Sequence, residues 1–269
     1  GGGRVQECLR KKRPQLSWDC QEELFRKEVE DASDIRLNTA LLRVCSKDKK
    51  KFCADVKPGM GLAKKCLEDN RNQPDFSSEC KSKFEEMMVR RASDFRLDET
   101  LRSECREDIE EVCGYEKDSL DTIAGYDGRV VECLQDYREE LVKPGCKAAV
   151  HKVTERAAED IRMDRPLADA CYEDRKTKCA GVAPGSARVL RCLQDNRNQL
   201  SYECRATLFD QEVRLAEDID FKYPMKKACK AEIENFCKGI EHGHARVISC
   251  LQVTHLTLAT AIFWVSSSK

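Results

Sequence analysis

Apolar residues recur along this chain at helical intervals, and the same order of apolar and polar positions returns about every sixty residues. Arg-Val-x-x-Cys-Leu stands at residues 4–9, 129–134, 188–193 and 246–251. Its Val, Cys and Leu fall at i, i+3 and i+4, one apolar stripe of a first helix. Turn chemistry precedes such a helix at Pro58-Gly59, Pro184-Gly185 and His242-Gly243. A second helix opens at Ser17, Ser77 and Ser201, each three residues before a cysteine, where a hydroxyl can cap free backbone N–H groups. Counted from Cys20, Cys80, Cys146 and Cys204, its buried face is expected at +4 (Leu24, Phe84, Val150, Leu208). It continues at +12 (Ala32, Ala92, Ala158, Ala216) and +15 (Ile35, Phe95, Ile161, Ile219). The repeated Ala points to a close helix crossing. The Asp before each +15 residue (Asp34, Asp94, Asp160, Asp218) reads as a partner for a Lys, an Arg or a neighbouring helix end. A third helix starts after Asn38, Asp98 or Asp164, with Lys222 in that place in the fourth repeat; Pro166 and Pro224 suit its first turn.

The cysteines give the period its metric. The seventeen run 8, 20, 45, 53, 66, 80, 105, 113, 133, 146, 171, 179, 192, 204, 229, 237 and 250, and steps of 25 and 8 recur four times unchanged while the others vary. Constant steps imply rigid secondary structure and variable ones imply loops. The expected fold is all-α, a tandem array of disulfide-linked three-helix cysteine-rich repeats in an elongated, solenoid-like stack. Its repeats are read as 1–56, 57–122, 123–182 and 183–239, with the start of a fifth at 240–252 and a non-repeat tail at 253–269. With 6% aromatic residues, one thick core is not expected, and small units held by cross-links fit better.

Seventeen thiols without a single Cys-x-x-Cys argue against zinc and for an oxidising lumen or the cell exterior. The chain opens Gly1-Gly2-Gly3-Arg4 without Met or an apolar signal segment, as an internal piece of a larger secreted or lumenal precursor would. The apolar stretch His255–Val265 falls short of the roughly 20 residues that span a bilayer.

Eight residues of helix rise about 12 Å, beyond the roughly 7 Å a disulfide tolerates between Cα atoms, so Cys45 should not bond Cys53. A hairpin of second and third helices turning near Asn38 predicts Cys20–Cys53, Cys80–Cys113, Cys146–Cys179 and Cys204–Cys237. The remaining cysteines pair either across repeats, as Cys45–Cys66, Cys105–Cys133, Cys171–Cys192 and Cys229–Cys250 with Cys8 alone, or within them, from Cys8–Cys45 onward with Cys250 alone. The first arrangement is favoured.

Residues 188–204, Arg-Val-Leu-Arg-Cys-Leu-Gln-Asp-Asn-Arg-Asn-Gln-Leu-Ser-Tyr-Glu-Cys, taken with the spacing over 4–252, resemble the cysteine-rich repeat of the Golgi apparatus protein 1 family. Members are also described as cysteine-rich fibroblast growth factor receptor and as E-selectin ligand 1. The resemblance implies a repeat region on the lumenal side of a single-pass Golgi membrane protein, with the cell surface or secretion as other destinations. It also implies fibroblast growth factor binding and retention, and E-selectin binding through fucosylated glycans. This sequence departs from the pattern in three places. Lys143-Pro144-Gly145 replaces the usual Leu/Phe-Ser, the 113–133 step is longer by a loop through Asp118 to Asp127, and Val253–Lys269 matches no repeat. No Asn-x-Ser/Thr sequon is present, so selectin binding would need glycans other than N-glycans of this piece.

Chemistry and charge narrow the function. His242 and His244 flank a turn glycine and read as a solvated loop; His151 and His255 have no repeat counterpart. No phosphate-binding Gly loop or nucleophile elbow occurs, so neither a catalytic site nor a cofactor is assigned. With 48 Lys+Arg against 49 Asp+Glu, the net charge of -1 gives no drive toward nucleic acid. Membrane attachment would come only from a segment outside these residues. Charge is segregated, however. Residues 98–127 hold eleven acidic and three basic side chains, net -8, and residues 43–65 hold eight basic and two acidic, net +6. Glu104, Glu107, Asp108, Glu110, Glu111 and Asp118 are the candidate surface for a basic growth factor, and Lys47–Lys51 for a sulfated glycan or an acidic partner.

Overall fold

The computed structural model describes residues 3–114 and 128–254, which are helices and turns without a strand. First helices are α1 (Arg4–Lys11), α4 (Leu62–Asn70), α8 (Arg129–Asp136), α12 (Arg188–Asp195) and α16 (246–254). Second helices are α2 (Trp18–Ser33), α5 (Ser78–Ser93), α9 (Pro144–Glu159) and α13 (Tyr202–Ala216). The third helix is continuous once, as α3 (Thr39–Phe52). Elsewhere it is interrupted at its first cysteine: α6 (Glu99–Glu104) and α7 (Arg106–Val112), α10 (Arg165–Ala170) and α11 (Tyr172–Lys178), α14 (Tyr223–Ala228) and α15 (Lys230–Phe236). The fold is therefore all-α and built of tandem repeats. The chain forms two compact units, Gly1–His151 and Lys152–Lys269.

Local chemistry explains each boundary. Ser77 accepts a hydrogen bond from Cys80 N at 3.4 Å and Ser201 from Cys204 N at 3.2 Å, whereas Ser17 makes no side-chain cap. Asn38, Asp98 and Asp164 cap the third helix, and Lys222 does not. The Asp ahead of each +15 residue turns the chain. Asp34, Asp94 and Asp160 each accept from the backbone N–H two residues on and clamp the same residue's guanidinium (Arg36, Arg96, Arg162), closing a one-turn bend between second and third helices. Arg36 beside Asp34 holds that carboxyl below its usual range. Gly59, Gly185 and Gly243 adopt φ of 92°, 84° and 91°, and the two residues after each stay left-handed. The last of each trio donates its N–H back to the end of the second helix: Gly61 to Ser33 O, Ala187 to Glu159 O and Ala245 to Glu217 O, at 2.6–2.8 Å.

The +4 and +15 positions are buried as expected, but the +12 alanines are not a common crossing point. Only Ala158 is buried; Ala32 and Ala92 are half-buried and Ala216 is exposed. They lie in the last turn of the second helix, where the chain is already leaving the contact.

The disulfides correct the expected pairing. Seven bridges form: Cys45–Cys80, Cys53–Cys66, Cys105–Cys146, Cys113–Cys133, Cys171–Cys204, Cys179–Cys192 and Cys237–Cys250. Cys8 is free, as the favoured arrangement has it, but so are Cys20 and Cys229, which were expected to be bonded. None of the Cys20–Cys53 type bridges exists. The bend at Asp34 does not fold the third helix back along its own second helix; α3 packs on α4 and α5 instead. Its first cysteine thus reaches the following second helix and its second cysteine the following first helix. Bridges do cross between the repeats as drawn from the sequence, and Cys45 does avoid Cys53, but Cys66 takes Cys53 where Cys45 was expected.

Five of the seven bridges lie in small apolar clusters. In the first unit Ile35, Leu41, Cys45, Leu67, Cys80 and Phe84 pack together, and in the second Ile161, Leu167, Cys171, Leu193, Cys204 and Leu208 do. Lys64 is buried beside the first cluster, its ammonium donating to the Asp31 carbonyl. Burial, with Arg91 alongside, pushes its pKa down from the ordinary 10.5 to about 8. Between those values only the unfolded chain holds the proton, so the stability of this unit should rise with pH across that window, by roughly 3 kcal/mol in all. Lys64→Met should remove the slope. Melting from pH 7 to 10.5 with free thiols alkylated checks it; equal slopes for both proteins would refute it.

Candidate functional site

The acidic face is built on α6 and α7. Two bridges fix it, Cys105 to α9 and Cys113 to α8. Glu104, Glu107, Glu110 and Glu111 are exposed on it. Glu107 pairs with Lys143 at 2.6 Å, which favours the charged ammonium and raises its pKa. The Glu104 carboxylate lies over Gly145, whose missing side chain leaves it room. Asp118 lies outside the described residues, as do the rest of the long loop and the His255–Val265 stretch.

Asp108 departs from that set. It is 1% exposed, and its carboxylate accepts from Val142 N at 2.6 Å and Lys143 N at 3.3 Å, at the start of α9. Its counterparts do the same. Asp48 accepts from Ser77 N and Oγ at 2.9 and 2.5 Å, and Asp174 from Ser201 N and Oγ at 3.1 and 2.7 Å. The Asp three residues after the first third-helix cysteine is thus a strut onto the next second helix, where orphan N–H groups and the helix dipole favour an anion. It does not face a partner. Its recurrence at Asp48, Asp108 and Asp174 was visible in the sequence, but in a chain with 36% charged residues it passed for surface charge.

On the basic segment Lys47, Lys50 and Lys51 are exposed, Lys49 is half-buried and Asp48 is turned inward. Lys51 pairs with Asp75 at 3.0 Å and lies 5.1 Å from the Phe52 ring centre. A second cationic feature, not anticipated, is a cleft of about 480 Å³ whose walls include Arg4, Lys11, Lys12, Arg43 and Lys83. Its one carboxylate, Glu7, is bonded to Lys83 at 3.0 Å, which lowers its pKa. His242 Nδ1 lies 2.8 Å from Asp220. No helix among the described residues is long and apolar enough to cross a membrane.

These features define a class: an all-α repeat protein framed by disulfides, with charged faces set on bridged helices. Comparison places it further. A family profile described as Cysteine rich repeat (Cys-rich FGFR) matches residues 18–75, 78–142, 144–201 and 202–256, and the chain belongs to that family. Cys53–Cys66 closes inside one such match, whereas Cys45–Cys80 passes from one into the next. The chain is similar to Golgi apparatus protein 1 of Mus musculus and of Homo sapiens, each 27% identical over 93% of this chain and 21% of the relative. It is 28% identical to the Golgi apparatus protein 1 homolog of Caenorhabditis elegans, over 91% of this chain and 23% of the relative. The chain thus spans about a fifth of the length of these relatives. No solved structure matches it.

Proposed function

We propose that this chain is a non-enzymatic binding scaffold of the secretory pathway, working on the lumenal side of the Golgi and holding basic growth factors of the fibroblast growth factor type for trafficking. The names of its relatives and of its family support the setting. The observation that carries the binding role is the exposed row Glu104, Glu107, Glu110 and Glu111 on a helix pinned by two bridges. Fixed carboxylates of one sign raise the encounter rate of a basic ligand and lose that effect in salt. E-selectin binding would rest on glycans carried elsewhere in a longer protein.

Reversing Glu107, Glu110 and Glu111 to Lys should weaken binding of a basic fibroblast growth factor at least tenfold at 0.15 M salt, with helicity unchanged. Calorimetric titration checks it; an affinity unmoved by the reversal and by 0.5 M salt would remove the electrostatic account. The second reading is a structural spacer. Its support is the inward use of charge, as in Arg10 bonded to Glu28 and Asp31, and Arg91 bonded to Glu68 and Asp98. On that reading the unaltered chain fails to bind the growth factor at all.

A further inference from the structure

Three junctions in this chain follow one template. A bend and third helix are gripped by the next first and second helices through two bridges, and one apolar residue of each partner disappears from solvent. Leu41, Leu101 and Leu167, four residues before the first third-helix cysteine, are at most 2% exposed. Ala63, Val130, Val189 and Val247, three residues before the first-helix cysteine, are at most 5% exposed.

The α1–α2 face has every receiving feature and no third helix bridged to it; its own repeat's α3 lies only alongside α1, where Ala40 and Val44 line a cleft with Cys8. Val5, in the place of those four, is 68% exposed. Leu9 and Leu16 are half-buried where Leu67, Leu134, Leu193, Phe76 and Leu200 are buried. Ser17 makes no cap and has no Asp strut, unlike Ser77 and Ser201. Cys8 and Cys20 are unbonded at the two receiving positions.

We propose that the α1–α2 face is a docking site for the bend and third helix of another cysteine-rich repeat, which it takes in the geometry of the internal junctions and seals with two disulfides. The first cysteine of the incoming Cys-x7-Cys bonds Cys20 and the second bonds Cys8. Its apolar residue four positions ahead covers the face, and its Asp three positions after caps Ser17. A second copy of this chain does not fit. Its free third helix is α14–α15, where Met225 is 40% exposed and Cys229 is unbonded, but Cys237 is already joined to Cys250. It offers one thiol where the face needs two. Each bond joins two thiols, and the two electrons and two protons released reduce one oxidised glutathione to two reduced molecules.

The probe is a 21-residue peptide of this chain's own residues 160–180, which carries the bend, Leu167, Cys171, Asp174 and Cys179. It is incubated with the intact chain in a glutathione redox pair and mapped without reduction. The expected product is one peptide per chain, joined Cys171–Cys20 and Cys179–Cys8. Asp174→Asn in the peptide, or Val5→Glu in the chain, should each lower capture about tenfold, as loss of roughly 1.4 kcal/mol would. Because Val5 is in the open, Val5→Glu should leave the circular dichroism spectrum unchanged. Attachment at Cys229 as readily as at Cys20, closure of Cys8 on Cys20, a Cys20–Cys229 oligomer, or capture indifferent to both substitutions would each overturn the assignment.

Discussion

Exchanging Cys171 and Cys204 together for Ala is expected to lower the stability of the Lys152–Lys269 unit by about 3–4 kcal/mol. The bridge closes a span of 33 residues, so its removal frees more of the unfolded chain than loss of Cys179–Cys192, which closes 13. Both sulfurs are fully buried in the apolar cluster, and two alanines would leave a void there as well. Urea denaturation of the two double variants gives the comparison. Equal losses would mean that native packing, not chain restriction, sets the effect. Reduction of all seven bridges should go further and abolish most of the helical signal, since each apolar cluster is small and draws on short helices that are marginal alone.

Asp108→Ala should destabilise the Gly1–His151 unit by about 2–4 kcal/mol. The substitution strips two backbone N–H groups at the start of α9 of their charged acceptor, in a site from which water is nearly excluded. Asp48→Ala should behave alike, because Ser77 then loses both of its bonds to the strut. Exposed Glu110→Ala, two residues along the same helix, should change the free energy of unfolding by no more than about 0.5 kcal/mol. A small effect at Asp108 would mean that the strut is incidental. The contrast matters for function, since reversing Asp108 along with its neighbours would unfold the face whose charge was to be tested.

Much of the fold was legible because helical periodicity and unchanging cysteine steps are local quantities. Leu24, Phe84, Val150 and Leu208 fell on a buried face, and Asn38, Asp98 and Asp164 on caps, for reasons contained within one turn of chain. Partnership between helices was not local. The hairpin reading assumed that the shortest link joins the nearest neighbours, and a single Asp-x-Arg bend, whose Asp was expected only as a partner for a Lys, an Arg or a neighbouring helix end, turns the third helix toward the next repeat and exchanges every bridge. The acidic candidates divide on the same ground. Glu107, Glu110 and Glu111 lie on the outer side of α7, and Asp108 between them points at a helix start about 34 positions ahead, a distance over which spacing alone says nothing.

The cross-repeat bridges have a mechanical consequence. With Cys45 and Cys80 held 4.8 Å apart, the stretch between them, a sequence separation of 35, adds almost nothing to the length of a chain under tension, folded or not. The 25 residues from Cys80 to Cys105 carry no such shortcut, and drawn straight they reach about 85 Å. A pulling force is therefore borne by locked nodes and extensible tethers in alternation, and the tethers are the second helices with their bends.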